Sequence, residues 1–219
     1  MTKIFYVGTQ RSGTKSFGEF FKRNGLRVFS WEQCRETDLA GAVYRGRWLH
    51  VLKSGLFDDF DVYEDTPFWN PEFVAFIYHY IPESHFVYFH RPPRDWYRSM
   101  VTHSAGLTLG PIRRHCYYYD RLEELAFLQD ELDGNLKRLP LIGMSRHYEE
   151  VYLRHRSRIE ERFRQFDESR VFSASLYDKN KFKNMADHFG LKLKDKSEQH
   201  AHKSSESVAS VMKRYPYLF

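Results

Sequence analysis

The segment Ile4-Phe5-Tyr6-Val7-Gly8-Thr9-Gln10-Arg11-Ser12-Gly13-Thr14-Lys15-Ser16 places hydroxyls, two cations and two glycines between an apolar run and the helical pattern Phe17-Gly18-Glu19-Phe20-Phe21-Lys22. Residues of these types in this order suit the binding of an anion. The N–H groups that begin a helix lack intrahelical acceptors and sit at the positive end of its dipole, so a phosphate placed there meets several donors at once. Ser12, Thr14 and Ser16 add hydroxyls, Gln10 an amide, and Arg11 and Lys15 charge. An ordinary glycine-containing turn between strand and helix accommodates the same letters.

A second cationic junction is Arg91-Pro92-Pro93-Arg94-Asp95-Trp96-Tyr97-Arg98-Ser99, in which Arg91 and Ser99 stand eight residues apart. Two separated Arg-bearing junctions are what a ligand with two phosphate groups needs. Groups able to move a proton are Glu32, Asp65 and His103. Glu32 and Asp65 each follow an apolar run, and a carboxylate just past a strand of an α/β sheet points into the crevice where ligands bind. A solvated surface carboxylate is the plainer alternative for Glu32.

The elements that must position these groups follow from periodicity. Strands are expected at 3–7, 26–29, 61–65, 85–90 and 170–176, and helices at 17–24, 71–81, 122–132, 148–166 and 180–189, with a further helix entered through Pro92-Pro93. The run His85 to His90 is apolar enough for a buried parallel strand. Tyr148, Tyr152, His155, Ile159, Phe163 and Phe166 trace one helical face, with Arg and Glu residues around it. Leu39 to Phe60 reads as helical or irregular, and its Arg45, Arg47 and Lys53 fit either a solvated face or an acceptor site. Tyr117-Tyr118-Tyr119 suits either packing or a pocket wall.

With 219 residues the chain accommodates one α/β domain, read as a single domain over 1–219. A net charge of +5 suits an anionic ligand and is also compatible with mere solubility. Cys34 and Cys116 have neither metal nor redox spacing, and His200 and His202 lack a third ligand, so no metal is expected. No leader and no membrane span are legible, which makes a cytoplasmic protein the expectation.

Arg11-Ser12-Gly13-Thr14 resembles the loop with which sulfotransferases grip the 5′-phosphosulfate of the donor PAPS, and Arg91 and Ser99 match, residue for residue, their Arg-x-Pro-x-x-Trp-Tyr-x-Ser element for its 3′-phosphate. Asp65-Thr66-Pro67 and the strand Phe86 to Phe89 are also similar to the family, and the order of elements after Tyr148 resembles its C-terminal half. The resemblance implies an α/β, three-layer, P-loop-like parallel sheet flanked by helices, PAPS as donor with PAP as product, and a small-molecule or glycan acceptor bearing a hydroxyl or amine. It implies donor contacts from Gln10, Arg11, Ser12, Gly13, Thr14, Lys15, Ser16, Arg91 and Ser99, and from Lys203 in a basic loop and tail over 194–219 that closes on the donor. For the base it favours Glu32, twenty-one residues after Arg11, with Asp65 and His103 in reserve. Where the family often has Lys the chain has Arg11, which stabilises charge but does not deprotonate, so Lys15 or a hydroxyl must supply any proton to the leaving group.

Two other readings remain. A nucleotide kinase using Mg-ATP would need G-x-x-x-x-G-K-[ST], whereas Thr14 stands at the Lys position and Lys15 comes one residue late. A non-catalytic polyanion-binding module would explain the charge and the aromatics but not two strand-ended anion sites, and no nucleic-acid motif is present.

Overall fold

The computed structural model describes residues 2–127 and 138–196, with Ser210 and Lys213 besides. Their backbone contacts gather into two compact units, one holding the described residues up to Arg91 and those of 155–196, the other holding Pro92–Arg154 with Ser210 and Lys213.

In the first unit the chain runs β1 (Lys3–Tyr6), α1 (Thr14–Arg23), β2 (Val28–Phe29), α2 (Trp31–Glu36), α3 (Leu39–Tyr44), α4 (Trp48–Leu52), α5 (Leu56–Asp59), β3 (Val62–Tyr63), α6 (Pro71–Tyr80) and β4 (Ser84–His90). The second unit holds α7 (Pro93–His103), α8 (Ile112–Tyr118), α9 (Leu122–Phe127) and the start of α10 (Ser145–Gln165). The rest of α10, then β5 (Val171–Ser175) and α11 (Lys181–His188), belong to the first.

The strands form one parallel sheet in the order β2-β3-β1-β4-β5. Alternation along β1 explains its two faces. Ile4 and Tyr6 join Phe17, Phe20 and Phe21 of α1 and Phe182 and Met185 of α11, while Phe5 and Val7 join Phe73, Val74 and Ile77 of α6 and Ile159 of α10. Three layers result, and the fold class is the α/β parallel sheet expected. In α1 the buried phenyl groups, each worth roughly 1.5–3 kcal/mol, outweigh the roughly 1 kcal/mol that Gly18 costs a helix interior.

Several segments differ from the sequence expectation. The 26–29 and 61–65 strands shrink to two residues each, and Leu39 to Asp59 is three short helices. Ser30, read as a strand end, caps α2 instead: Gln33 and Ser30 exchange the two hydrogen bonds of a capping box, a pattern visible as Ser-x-x-Gln. On α10 the expected i,i+4 pairing occurs at Arg156–Glu160, 2.7 Å, but Arg158 and Arg162 both reach across to Glu72 of α6, at 3.1 and 2.6 Å. In the second unit Tyr119 is packing: it is buried with its ring 5.9 Å from that of Trp96 and 4.5 Å from His115, while Tyr117 is exposed. No helix among the described residues is long and apolar enough to cross a membrane.

Candidate active site at the carboxyl edge of the sheet

Because all five strands run parallel, everything that follows a strand lies along one edge. In sheet order that edge presents Glu32 after β2, Asp65 after β3, the Val7–Gly13 loop after β1, Arg91 after β4 and Tyr177 after β5. The chain leaves β1 toward β2 and leaves β4 toward β5, so the edge between β1 and β4 is where connections diverge, the usual ligand crevice of an open α/β sheet. The β1 loop and Arg91 flank it.

The loop reaches the helix through two left-handed residues, Arg11 at φ 64° and Gly13 at φ 107°. Gly13 is the N-cap of α1 and carries no side chain to satisfy the first-turn N–H groups, and no acidic residue stands in that turn. A Cβ at Gly13 would sit 2.7 Å from Leu176 Cδ1, so both conformation and space call for glycine. Inside the loop the Tyr6 hydroxyl donates to the Ser12 carbonyl at 2.5 Å and the Ser12 hydroxyl donates to the Thr9 carbonyl at 2.5 Å. The Ser12 hydroxyl is therefore turned inward as a brace. At the loop's start the buried His155 of α10 donates from Nε2 to the Val7 carbonyl at 3.2 Å. Burial pushes this imidazole down to about 4, so it is neutral at pH 7.

Arg91 donates from Nη1 to the Arg11 carbonyl at 3.3 Å and from Nη2 to the Tyr177 hydroxyl at 3.1 Å, with its guanidinium 5.6 Å from the centre of the Tyr177 ring. The Arg11 side chain is held below its ordinary pKa, first by burial and then by the like charge of Arg91. Two guanidinium groups close enough to repel define a place where an anion is favoured. The sequence reading did not include Tyr177, whose partnership with Arg91 exists only because β4 and β5 are neighbours, and it gave His155 no role beyond the packed face.

The carboxylates differ in setting. Glu32 lies on the exposed first turn of α2, where its Oε2 accepts from the Ser30 hydroxyl at 2.6 Å. Asp65 is left-handed at φ 67°, and its Oδ1 accepts from the Thr66 N–H at 2.7 Å and the Thr66 hydroxyl at 3.2 Å. Asp65 is one strand from the loop and Glu32 two, roughly 5 and roughly 10 Å across the sheet. Thr14, Lys15 and Ser16 form the first turn of α1, with Lys15 exposed and Gln10 half-buried before it. Ser99 and His103 lie on α7 in the other unit, half-buried and exposed respectively. Lys203 lies outside the described residues. Among the described residues no group of three His, Cys, Asp or Glu is placed to hold a metal ion.

The family model described as "Sulfotransferase domain" matches residues 3–189. Among solved structures, a sulfotransferase from Alicyclobacillus acidocaldarius aligns with a TM-score of 0.53 at 12% identity, covering 100% of this chain and 91% of that one. A sulfotransferase domain from the curacin biosynthetic pathway aligns with a TM-score of 0.47, also at 12% identity and with coverage of 100% and 91%. No curated protein matches the sequence. At such identity the first of these structures speaks for the fold alone, while the family model spans the whole sheet and both cationic junctions: the chain belongs to the sulfotransferase-domain family, enzymes that transfer sulfate.

Proposed function

We propose that the chain transfers the sulfuryl group of PAPS to a hydroxyl or amine of a small-molecule or glycan acceptor. The observation that supports the donor most directly is the junction of β1 and α1, where a glycine-capped ten-residue helix begins beside Arg11 and Arg91. These residues fit a doubly phosphorylated anion: Thr14, Lys15 and Ser16 offer N–H groups and side chains to the 5′-phosphosulfate, and Arg91 offers its guanidinium to the 3′-phosphate. Ser99 enters the proposal on the spacing of its motif alone.

PAPS, when bound, supplies the sulfuryl group and a phosphate leaving group. Arg11, permanently charged, stabilises negative charge at that phosphate, and Lys15 adds a second cation able to give up a proton. Glu32 takes the proton of the acceptor hydroxyl; exposure keeps its carboxylate reachable, and the Ser30 hydroxyl orients it. Asp65, with one oxygen engaged by Thr66, is the reserve.

The test is a thermal-shift titration with PAP beside Mg-ATP, repeated on Arg91→Ala. A ligand held only by the folded state at a hundred times its Kd stabilises by about 2.7 kcal/mol. PAP is expected to raise Tm more than Mg-ATP, and to lose most of that effect in Arg91→Ala. A preference for Mg-ATP would replace this reading with a kinase, and PAP binding that ignores Arg91 would move the donor elsewhere.

A further inference from the structure

Helix α1 carries the first turn on which the proposed donor site depends, and it does not rest on apolar contacts alone. Glu64, the residue after β3, donates its N–H to the Phe29 carbonyl at 3.0 Å and is only 5% exposed. Its carboxyl lies directly under the middle of α1. A Cβ added at Gly18 would stand 2.7 Å from Oε1 and 2.8 Å from Oε2, so the absence of a side chain at Gly18 is what admits the acid. Glu64 Oε2 is buried and has no hydrogen-bond partner among the described residues. A buried acceptor left in that state is costly, and a buried carboxylate far more so.

We infer that Glu64 is a positioning residue of the donor site: wedged against Gly18, its carboxyl seats α1 on the sheet and so sets the first turn at Thr14–Ser16. This rests on the donor reading above for its link to catalysis, but the seating of α1 does not. The charged groups facing the carboxyl are Glu19 and Lys22 from α1 and Asp65 from its own strand end. Burial, then the like charge of Asp65, pushes Glu64 up to about 8, with Lys22 and the Gly18 N–H acting in the opposite sense. Ionisation leaves a carboxylate under a helix with Asp65 beside it, and the simplest relief is for α1 to lift. Gly18 is one turn from Thr14, so that movement is passed to the first turn.

The primary test needs no ligand. Hydrogen exchange of the Phe17, Gly18 and Glu19 amides, the first in α1 with helical acceptors (the Phe17 N–H donates to the Gly13 carbonyl at 3.0 Å), is compared at pH 7 and pH 9 in the wild type and in Glu64→Gln, which keeps the shape without the ionisation. After the common pH dependence of exchange is divided out, the wild type is expected to lose several-fold protection at pH 9 and the variant to stay within twofold. Equal behaviour of the two proteins overturns the inference. If Glu64→Gln fails to fold, the pair Gly18→Ala and Gly18→Ala/Glu64→Ala decides instead: the single change is expected to loosen the same amides and the second to restore them, and no restoration overturns it. PAP affinity is then measured over the same pH range, where the wild type is expected to weaken about tenfold relative to Glu64→Gln. Parallel PAP profiles with the exchange difference present would confine Glu64 to structure and overturn the positioning role. Failure of both proteins to bind PAP at any pH would instead sink the donor reading and leave the seating of α1 standing.

Discussion

At the scale of single residues, the proposed reaction turns on which carboxylate receives the acceptor proton. Glu32 is exposed and oriented by Ser30, whereas Asp65 has an oxygen committed to Thr66 and sits nearer the loop. A general base contributes about 10²–10⁴ in rate. Glu32→Gln is therefore expected to lower kcat by at least about 10² with PAP affinity unchanged, while Asp65→Asn lowers it less; steady-state PAP release with a hydroxyl acceptor that supports turnover measures both. The reverse ranking would pass the role to Asp65. Glu32 was legible as a candidate because it follows an apolar run. That it begins a helix was not read, although Ser30 and Gln33 spell the capping pattern.

At the scale of elements, the loop and α1 work as one piece because their backbone has little choice. Gly13→Ala must carry a side chain at φ 107° and push against Leu176, so it is expected to cost about 1–3 kcal/mol in chemical denaturation and to weaken PAP binding as well. Loss of stability without loss of PAP binding would separate the loop from the donor. The bridge between α6 and α10 shows the contrary case. Glu72 faces both Arg158 and Arg162 yet is 46% exposed, so Glu72→Gln is expected to cost no more than about 1 kcal/mol. A loss of several kcal/mol would mean that this pair is a true fastening of the two helices.

At the scale of the whole molecule, three buried groups shape stability against pH. His155 and His115 are both held at about 4, chiefly by burial; His115 accepts the Leu109 N–H at Nδ1, 3.1 Å, and faces the Tyr148 hydroxyl from Nε2, 2.8 Å. Their folded pKa lies below the ordinary 6.5, so the unfolded chain binds more protons between pH 4 and 6.5 and stability falls as pH drops through that window. Glu64 is the opposite case. Its folded pKa of about 8 lies above the ordinary 4.5, so its contribution is full below about 4.5 and is lost as pH rises toward 8. Below 6.5 the two histidines outweigh the one acid; above it, of these three, Glu64 alone acts. Thermal denaturation across pH is expected to show a maximum near pH 6.5, with an alkaline decline that Glu64→Gln flattens. A stability still rising from pH 6.5 to 8 in the wild type would contradict this assignment.

Local order carried the strand, loop and helix of Ile4 to Lys22, the Arg91 junction, the buried β4 and the apolar face of α10, because periodicity, glycine and proline act within a few residues of chain. The resemblance to sulfotransferases rests on those local features. Tertiary structure alone decided what touches what. Arg91 meets a carbonyl eighty residues away, the Tyr177 hydroxyl meets Arg91, His155 ties down Val7, and Glu64 disappears beneath Gly18. None of these follows from spacing, since each depends on the order β2-β3-β1-β4-β5. Burial is likewise a property of the layers rather than of the residue, and for that reason Glu64 reads as one more acidic letter in Tyr63-Glu64-Asp65 while the fold makes it a neutral wedge.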